Sequence, residues 1–322
     1  MSQKISSINQ DTFYVPSGIV STVMPDFICP PTLPKKDHEA YRLALKGDEP
    51  YRLGEDSLPQ TGTPKGTLTK GHHVSKAIYP GVARDYWLYV PAQYSPKQPA
   101  NLIVFQDGGF YLGPEMQANN VLDNLIHSAE IPPTIALFVQ PGDKGPGTPI
   151  LGGNDNRSIE YDPINGDYAR YLEEELLVEI EKEHVLTQDP RRRAAVGISS
   201  GGICAFTLAW MRPDLFGGVI SHCGSFMDIR GGHNYPFLIR KNEQKDIKVF
   251  LQTGQKDING IFGDIRLANQ AMAAALEYRE YDFHFEFGEG GHNLMHGGAI
   301  FPDTLRWLWS GTGPYAEKKP YK

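Results

Sequence analysis

The stretch AAVGISSGGICAF, residues 194–206, contains a Gly-x-Ser-x-Gly pattern in which Ser199 lies between Gly197 and Gly201. An apolar segment, RAAVG, leads into the pattern and a helical segment follows it. This strand, tight turn and helix is the arrangement that exposes a nucleophilic serine, and the N–H groups at the start of the helix favour negative charge beside the Ser199 hydroxyl. The pattern therefore predicts a nucleophile; the alternative is a serine that only caps the helix.

A serine hydroxyl needs a base to take its proton and an acid to orient that base. With the chain order Ser, Asp or Glu, His, the candidates are Asp257, just after the segment IKVFLQTG, and His292, in the Gly-rich loop after YDFHFEFG. Asp264 is the alternative acid, because KDINGIFGD contains two aspartates and the sequence does not decide which one reaches the imidazole. Asp257 is favoured because it lies nearer the end of its strand.

Acyl transfer also needs N–H groups that bind the oxyanion, commonly one directly after the nucleophile and one in the loop after the third strand. Ser200 follows Ser199, and Gly109 in QDGGFY is the best second candidate, because a glycine lets the backbone approach a bound carbonyl closely. The alternative for this second loop is an ordinary Asp-Gly turn.

Several residues near these motifs are candidates for lining a substrate pocket. A guanidinium at Arg157 could clamp a carboxylate or orient a hydroxyl, or it could brace its loop through Glu160 or Asp162. Packing or surface positions are the alternative for every member of the set. The predicted pocket residues are Phe110, Tyr111, Arg157, Glu160 and His296.

A metal site is not expected. His296 follows His292 by four residues, a spacing that two metal ligands on a helix can have, but no third ligand stands out, and no cofactor is predicted. A metal-dependent hydrolase that uses these two histidines is the alternative. His222 and Cys223, in SHCGSF, are expected to pack at a strand end rather than to form a catalytic pair.

The elements around these motifs alternate between strand and helix. NLIVFQ and TIALFVQ are continuous apolar runs, typical of strands buried on both faces, and the helical segment NNVLDNLIHS lies between them. The alternation continues to the closing helix PDTLRWLW. It predicts an α/β fold with a mostly parallel sheet of about eight strands and helices on both faces.

The first part of the chain reads differently. Residues 1–70 carry clustered turn formers and one short helical segment, HEAYRLALKG, which predicts an irregular N-terminal arm packed on the main domain. From His72 onward, HHVSKAIY and ARDYWLYVP flank a Pro-Gly turn like the strands of a hairpin. We expect one catalytic domain over residues 71–315 and a C-terminal tail over 316–322.

Composition excludes several classes of protein. With 322 residues, 40% of them hydrophobic, and a net charge of −7 without a long basic run, the chain is typical of a folded protein with no nucleic-acid partner. It has neither an apolar signal region nor a membrane-spanning run, which predicts a soluble, cytoplasmic protein without a membrane partner. A removed signal peptide would make it periplasmic or secreted instead. The three cysteines are too few for a disulfide framework. A homodimer stays open.

The motifs together resemble the "putative esterase" branch of the α/β-hydrolases, which includes enterochelin esterases, carbohydrate-feruloyl esterases and mycolyltransferases. VFQDGGFY, NRSIEYD, GISSGG, LQTGQKD and GHNLMHGGAIFPDTLRWLW occur in this order between residues of about 70 and 310. The resemblance implies an α/β-hydrolase fold and a serine esterase with Ser199, Asp257 and His292 as its triad. Siderophore esterases of this branch usually carry an N-terminal β-domain, whereas this chain has an irregular arm and few basic residues near the motifs.

The predicted function is hydrolysis of a small-molecule carboxylic ester through an acyl-enzyme intermediate. Two alternatives stay open: acyl transfer to an alcohol with the same triad, and a non-catalytic binding protein on the same fold.

Overall fold

The computed structural model describes residues 18–29, 33–143 and 156–311. The predicted tail and the first part of the arm lie outside these ranges. Within them, the strands are β1 (Thr67–Val74), β2 (Ala83–Val90), β3 (Asn101–Gln106), β4 (Thr134–Val139), β5 (Arg193–Ile198), β6 (Gly218–His222), β7 (Lys248–Gly254), β8 (Asn259–Gly260), β9 (Gly263–Asp264) and β10 (Phe283–Gly288). The helices are α1 (His38–Leu45), α2 (Gly108–Tyr111), α3 (Ala118–His127), α4 (Arg157–Tyr161), α5 (Asp167–Tyr171), α6 (Leu177–Ile180), α7 (Ser200–Met211), α8 (Tyr235–Lys241), α9 (Ile265–Tyr278) and α10 (Met295–Trp309).

Eight strands form one sheet in the order β1-β2-β4-β3-β5-β6-β7-β10. The pairs β1–β2 and β2–β4 are antiparallel, and all other neighbouring pairs are parallel. Every residue of β3, β4, β5 and β6 is buried, as continuous apolar runs require when helices cover both faces. The predicted mostly parallel sheet of about eight strands is confirmed.

The core has two layers, one on each side of the sheet. Leu102 and Val104 of β3 pack in one cluster with α7, whereas Ile103 and Phe105 pack in the other with α10. This alternation follows from the strand repeat, in which successive side chains point to opposite faces. The site residues predicted after β3, β5, β7 and β10 therefore share the carboxyl edge of the sheet, where open α/β sheets bind ligands.

The described part of the arm contains α1 and two short 3₁₀ turns, at Lys35–Asp37 and Glu55–Ser57, and no strand before Thr67 is found in these ranges. The helix predicted in HEAYRLALKG is present. The first strand begins earlier than predicted, because its ladder with β2 starts at Thr67, which pairs with Val90, and continues to Val74, which pairs with Ala83. No helix of the described ranges is long and apolar enough to cross a bilayer.

Candidate active site

Ser199 occupies a strained turn between β5 and α7. Its backbone has φ 59° and ψ −122°, a positive φ that non-glycine residues adopt rarely and that costs about 1–3 kcal/mol. The flanking glycines make the turn possible: a Cβ on Gly197 would collide with the backbone of Gly201, and a Cβ on Gly201 would come within 2.8 Å of Asp107 Oδ2. The strand, turn and helix expected from the sequence are all present around this serine.

The Ser199 hydroxyl contacts a second hydroxyl. Its Oγ lies 3.0 Å from Oγ of Ser225, and the Ser225 N–H donates to the Ser199 carbonyl at 3.1 Å. Ser225 is buried. Sequence reasoning missed this residue: GSF follows β6 in the chain, but no spacing rule ties it to a serine that comes 26 positions earlier.

Asp257 and His292 form a close pair. His292 Nδ1 lies 2.7 Å from Asp257 Oδ1, and the Asp257 side chain is fully buried. The carboxylate also accepts hydrogen bonds from Thr253 Oγ1 at 2.6 Å and from the Ile258 N–H at 2.8 Å. Burial alone raises the pKa of Asp257, but the His292 charge and these hydrogen bonds outweigh it and hold the pKa below its ordinary value. The carboxylate is therefore charged where it meets the imidazole.

Asp264, the alternative acid, has a different set of partners. It is the N-cap of α9, where its side chain accepts from the N–H groups of Arg266 and Leu267, and it forms an ion pair with the Arg266 guanidinium at 2.5 Å. The structure thus brings Asp257, and not Asp264, to the imidazole of His292.

The two predicted oxyanion donors differ in their surroundings. Ser200 is the first residue of α7, and N–H groups in the first turn of a helix have no intrahelical acceptor. The Gly109 N–H donates to Oε1 of Gln140 at 3.0 Å. A Cβ on Gly109 would collide with the Gly18 carbonyl of the arm, so the contact with the arm requires a glycine here. Phe110 is buried in the core cluster of α10.

Arg157 ties the loop after β3 to the nucleophile turn. Its guanidinium donates to both carboxylate oxygens of Asp107, at 2.8 and 2.7 Å, and to the Ile198 carbonyl at 3.3 Å. The Asp107 side chain is fully buried and that of Arg157 is nearly so. In the structure Arg157 braces its loop, as one of its two predicted roles requires, but it does so through Asp107 and not through Glu160 or Asp162.

Glu160 was predicted to line the pocket, but it forms a buried ion pair. Its carboxylate accepts from the Arg84 guanidinium at 2.6 and 3.0 Å and from Asn156 Nδ2 at 2.9 Å. Both side chains of the ion pair are fully buried. Glu160 therefore has the packing position that was its alternative, because its oxygens already have protein donors.

Tyr111 and His296 also have interior partners. The Tyr111 ring is fully buried and its hydroxyl lies 3.0 Å from Nδ1 of His222. His296 stacks on Tyr51 with ring centroids 4.0 Å apart, and its Nδ1 lies 3.2 Å from Nε2 of Gln252. Burial lowers the pKa of His296, and it lowers that of His222 to about 3. These contacts match the packing alternative and leave no face of Tyr111 for a substrate.

The two histidines that could have held a metal have different partners, because Nδ1 of His292 faces Asp257 and Nδ1 of His296 faces Gln252. Among the described residues, one group of three side chains has ligand atoms within 4.8 Å of one another: Cys223, Asp257 and His292. The facing atoms of Asp257 and His292 already bond to each other, so a cation would have to displace that bond.

The sequence of the chain matches a known protein family. Residues 80–307 match the protein family described as "Putative esterase". The chain belongs to this family. The resemblance drawn from the motifs is confirmed. This family member is 24% identical over 219 residues to the Iron(III) enterobactin esterase of Escherichia coli O6:H1, in an alignment that covers 66% of the chain and 50% of that relative. The chain spans about half the length of that relative.

Solved structures of esterases share the fold of this family member. An enterobactin esterase from Shigella flexneri superposes with a TM-score of 0.63 at 22% sequence identity, over 78% of this chain and 60% of that one. A ferulic acid esterase from the anaerobic fungus Anaeromyces mucronatus superposes with a TM-score of 0.60 at 14% identity, over 80% and 97%. The predicted α/β-hydrolase fold is thereby confirmed.

Proposed function

We propose that the protein hydrolyses a small-molecule carboxylic ester, with Ser199 as nucleophile, His292 as general base and Asp257 as the acid that orients it. The observation that carries the proposal is the 2.7 Å bond between His292 and a buried, charged Asp257, on the sheet edge that also carries the strained Ser199 turn. Membership of the esterase family supports it.

In the proposed reaction, His292 Nε2 takes the proton of the Ser199 hydroxyl while Oγ attacks the ester carbonyl. The hydroxyl, which rests against Ser225, rotates towards the imidazole for this step. The Nδ1–H bond to Asp257 holds the ring and stabilises the imidazolium that forms. His292 then protonates the departing alcohol, and water repeats the sequence on the acyl-enzyme.

The developing oxyanion is proposed to bind the N–H groups of Ser200 and Gly109. The Ser200 N–H points from the first turn of α7, where the helix dipole adds to the attraction for negative charge. The Gly109 N–H is bonded to the side-chain oxygen of Gln140 in the structure, so a bound carbonyl would take over this donor as the Gln140 carboxamide turns away. Each such donor contributes roughly 10²–10³-fold to kcat.

The test compares Ser199→Ala with Ser128→Ala, a serine at the far end of α3. With p-nitrophenyl acetate as substrate, we expect Ser199→Ala to lose more than about 10³-fold in kcat and Ser128→Ala to match the parent. A fluorophosphonate should label the parent and Ser128→Ala but not Ser199→Ala. Full hydrolysis by Ser199→Ala would falsify the proposal. A panel of acetyl, butyryl, feruloyl, lactone and catecholate esters then defines the acyl and alcohol parts.

A further inference from the structure

The loop that carries His292 is held by the N-terminal arm. We call residues 289–294 the histidine loop, and the arm is the described part of the chain before β1. Four backbone N–H groups of the histidine loop donate to the arm: Glu289 to Tyr51 Oη at 2.9 Å, Gly291 to Glu49 Oε1 at 2.5 Å, His292 to the Ala44 carbonyl at 2.7 Å and Leu294 to Thr22 Oγ1 at 2.9 Å. All four acceptors lie outside the part that matches the esterase family, residues 80–307.

Glu49 has the central place in this set of contacts. Its Oε1 accepts from the Gly291 N–H and also from Asn293 Nδ2 at 3.0 Å, so it bonds to the residues on both sides of His292. Glu49 is 1% exposed, and its Oε2 has no hydrogen-bond partner among the described residues. Burying a carboxylate is costly unless hydrogen bonds compensate, and here those bonds go to the histidine loop.

The contact leaves little room for the loop to shift. A Cβ on Gly291 would collide with the Ala44 carbonyl and come within 2.8 Å of Glu49 Oε1. The His292 ring is held at Nδ1 by Asp257, while its backbone N–H is held by the Ala44 carbonyl of α1. A displacement of about 1 Å at a catalytic group can cost 10²-fold in rate, so the backbone contacts matter for a base that must reach the serine.

We propose that Glu49 is a positioning residue for the reaction: its carboxylate holds the Gly291 N–H and the Asn293 side chain, on either side of His292, and so aims the imidazole at Ser199. The arm is then part of the catalytic apparatus and not a surface appendage. This inference rests on the proposed function, since it takes His292 as the base.

The first experiment compares Glu49→Ala and Glu49→Gln in the full chain, with Glu55→Ala, an exposed acid of the same arm, as the control. Glutamine keeps an oxygen that can accept from Gly291 and Asn293, whereas alanine keeps none. For p-nitrophenyl acetate we expect Glu49→Ala to lower kcat by about 30-fold with KM within about threefold, and Glu49→Gln and Glu55→Ala to stay within about threefold of the parent. The rate of fluorophosphonate labelling should fall in parallel with kcat.

A second pair keeps the inference testable if Glu49→Ala fails to fold. Thr22 is buried and its hydroxyl accepts the Leu294 N–H. Thr22→Val removes this acceptor at nearly constant volume, and Thr22→Ser retains it. We expect Thr22→Val to lower kcat by about fivefold with KM unchanged, and Thr22→Ser to recover most of that loss.

Each measurement is made well below the midpoint of thermal unfolding of every variant, so that the folded fraction is the same. Parent-like kcat and labelling rates in folded Glu49→Ala would overturn the inference, as would a loss in this variant that appears in KM alone. If Glu49→Ala does not fold, parent-like rates in Thr22→Val overturn it. If Ser199→Ala is inactive while these variants are fully active, the inference fails and the proposed function stands. If Ser199→Ala is fully active, the proposed function fails first.

Discussion

The nucleophile turn and the histidine loop are held in place in opposite ways. At the turn, the Ser199 N–H donates to the His222 carbonyl and the Ser199 carbonyl accepts from Gly202 and Ser225, all within the family-matched segment. The histidine loop is held by acceptors that lie 242 and 272 positions earlier in the chain, Glu49 and Thr22. One half of the proposed site is thus built from neighbouring elements, and the other half depends on the arm.

A short sequence motif can therefore indicate the nucleophile turn but not the contacts that hold the histidine loop. A tight turn between a strand and a helix constrains the residue types at its own positions, so its glycines are visible in the sequence. A loop held by distant side chains places its constraints elsewhere in the chain. We therefore expect substitutions at the turn to act through local strain, and substitutions in the arm to act on the base.

The largest effect should come from breaking the joint between Asp257 and His292. Asp257→Asn removes the charge and can turn an amide N–H₂ towards Nδ1, which disfavours the tautomer that accepts the serine proton. We expect kcat to fall by roughly 10³–10⁴-fold with the fold retained. The matched control is Asp264→Asn, which should cost no more than about 1 kcal/mol of stability as a weakened helix cap. Equal losses of activity in the two variants would contradict the pairing of Asp257 with His292.

A second effect tests the turn alone. Gly197→Ala places a Cβ against the backbone of Gly201, and backbone atoms cannot move aside without opening the turn. We expect the free energy of unfolding to fall by about 3 kcal/mol, measured by urea titration at equal m-values. Gly54→Ala in the arm has open space around the new methyl group and should change stability by less than about 0.5 kcal/mol. A Gly197→Ala protein as stable as the parent would argue against a closed turn.

A third substitution sharpens the comparison at the contact between the β3 loop and the turn. Arg157→Lys keeps the charge but loses the two-pronged hydrogen bond to Asp107 and the bond to the Ile198 carbonyl. We expect kcat/KM to fall by about 30-fold, equivalent to about 2 kcal/mol. Arg230→Lys, at an exposed arginine whose Nε donates to Ser158 Oγ, is the control. A higher KM for Arg230→Lys, together with parent-like kcat/KM for Arg157→Lys, would instead favour an anionic substrate held by Arg230.

The smallest effect concerns pH and a residue between the two regions. Burial lowers the pKa of His222 to about 3, from an ordinary value of 6.5. As pH falls below 6.5, His222 takes up a proton in the unfolded chain but stays neutral in the folded chain. The free energy of unfolding therefore decreases towards acid pH. The slope reaches about 1.4 kcal/mol per pH unit. From pH 7 to pH 5.5, we expect the free energy of unfolding of His222→Asn, measured with urea, to decrease by about 1 kcal/mol less than that of the parent. Parallel curves would show that His222 is not the group responsible.

The sequence allowed the sheet and the nucleophile turn to be predicted, because both depend on local patterns: apolar runs for buried strands and glycines for the turn. Asp257 and His292 could be named because chain order places them after successive parallel strands. The contacts of Glu160 could not be predicted, since its partner Arg84 lies 76 positions away on an antiparallel strand. Glu49 gave no signal either, because it stands among turn formers and its donors are backbone N–H groups, which every residue possesses.

The span between Thr22 and Leu294 has a consequence for synthesis of the chain. Translation delivers the arm well before the histidine loop, so the serine turn can close on the ribosome for roughly ten seconds before Leu294 is added, at about 5–20 residues per second. During that time a nascent chain carries a serine without its base. On the proposed mechanism, ester cleavage begins only when the arm and the newly made histidine loop meet, so synthesis of this loop is the event that makes the enzyme active.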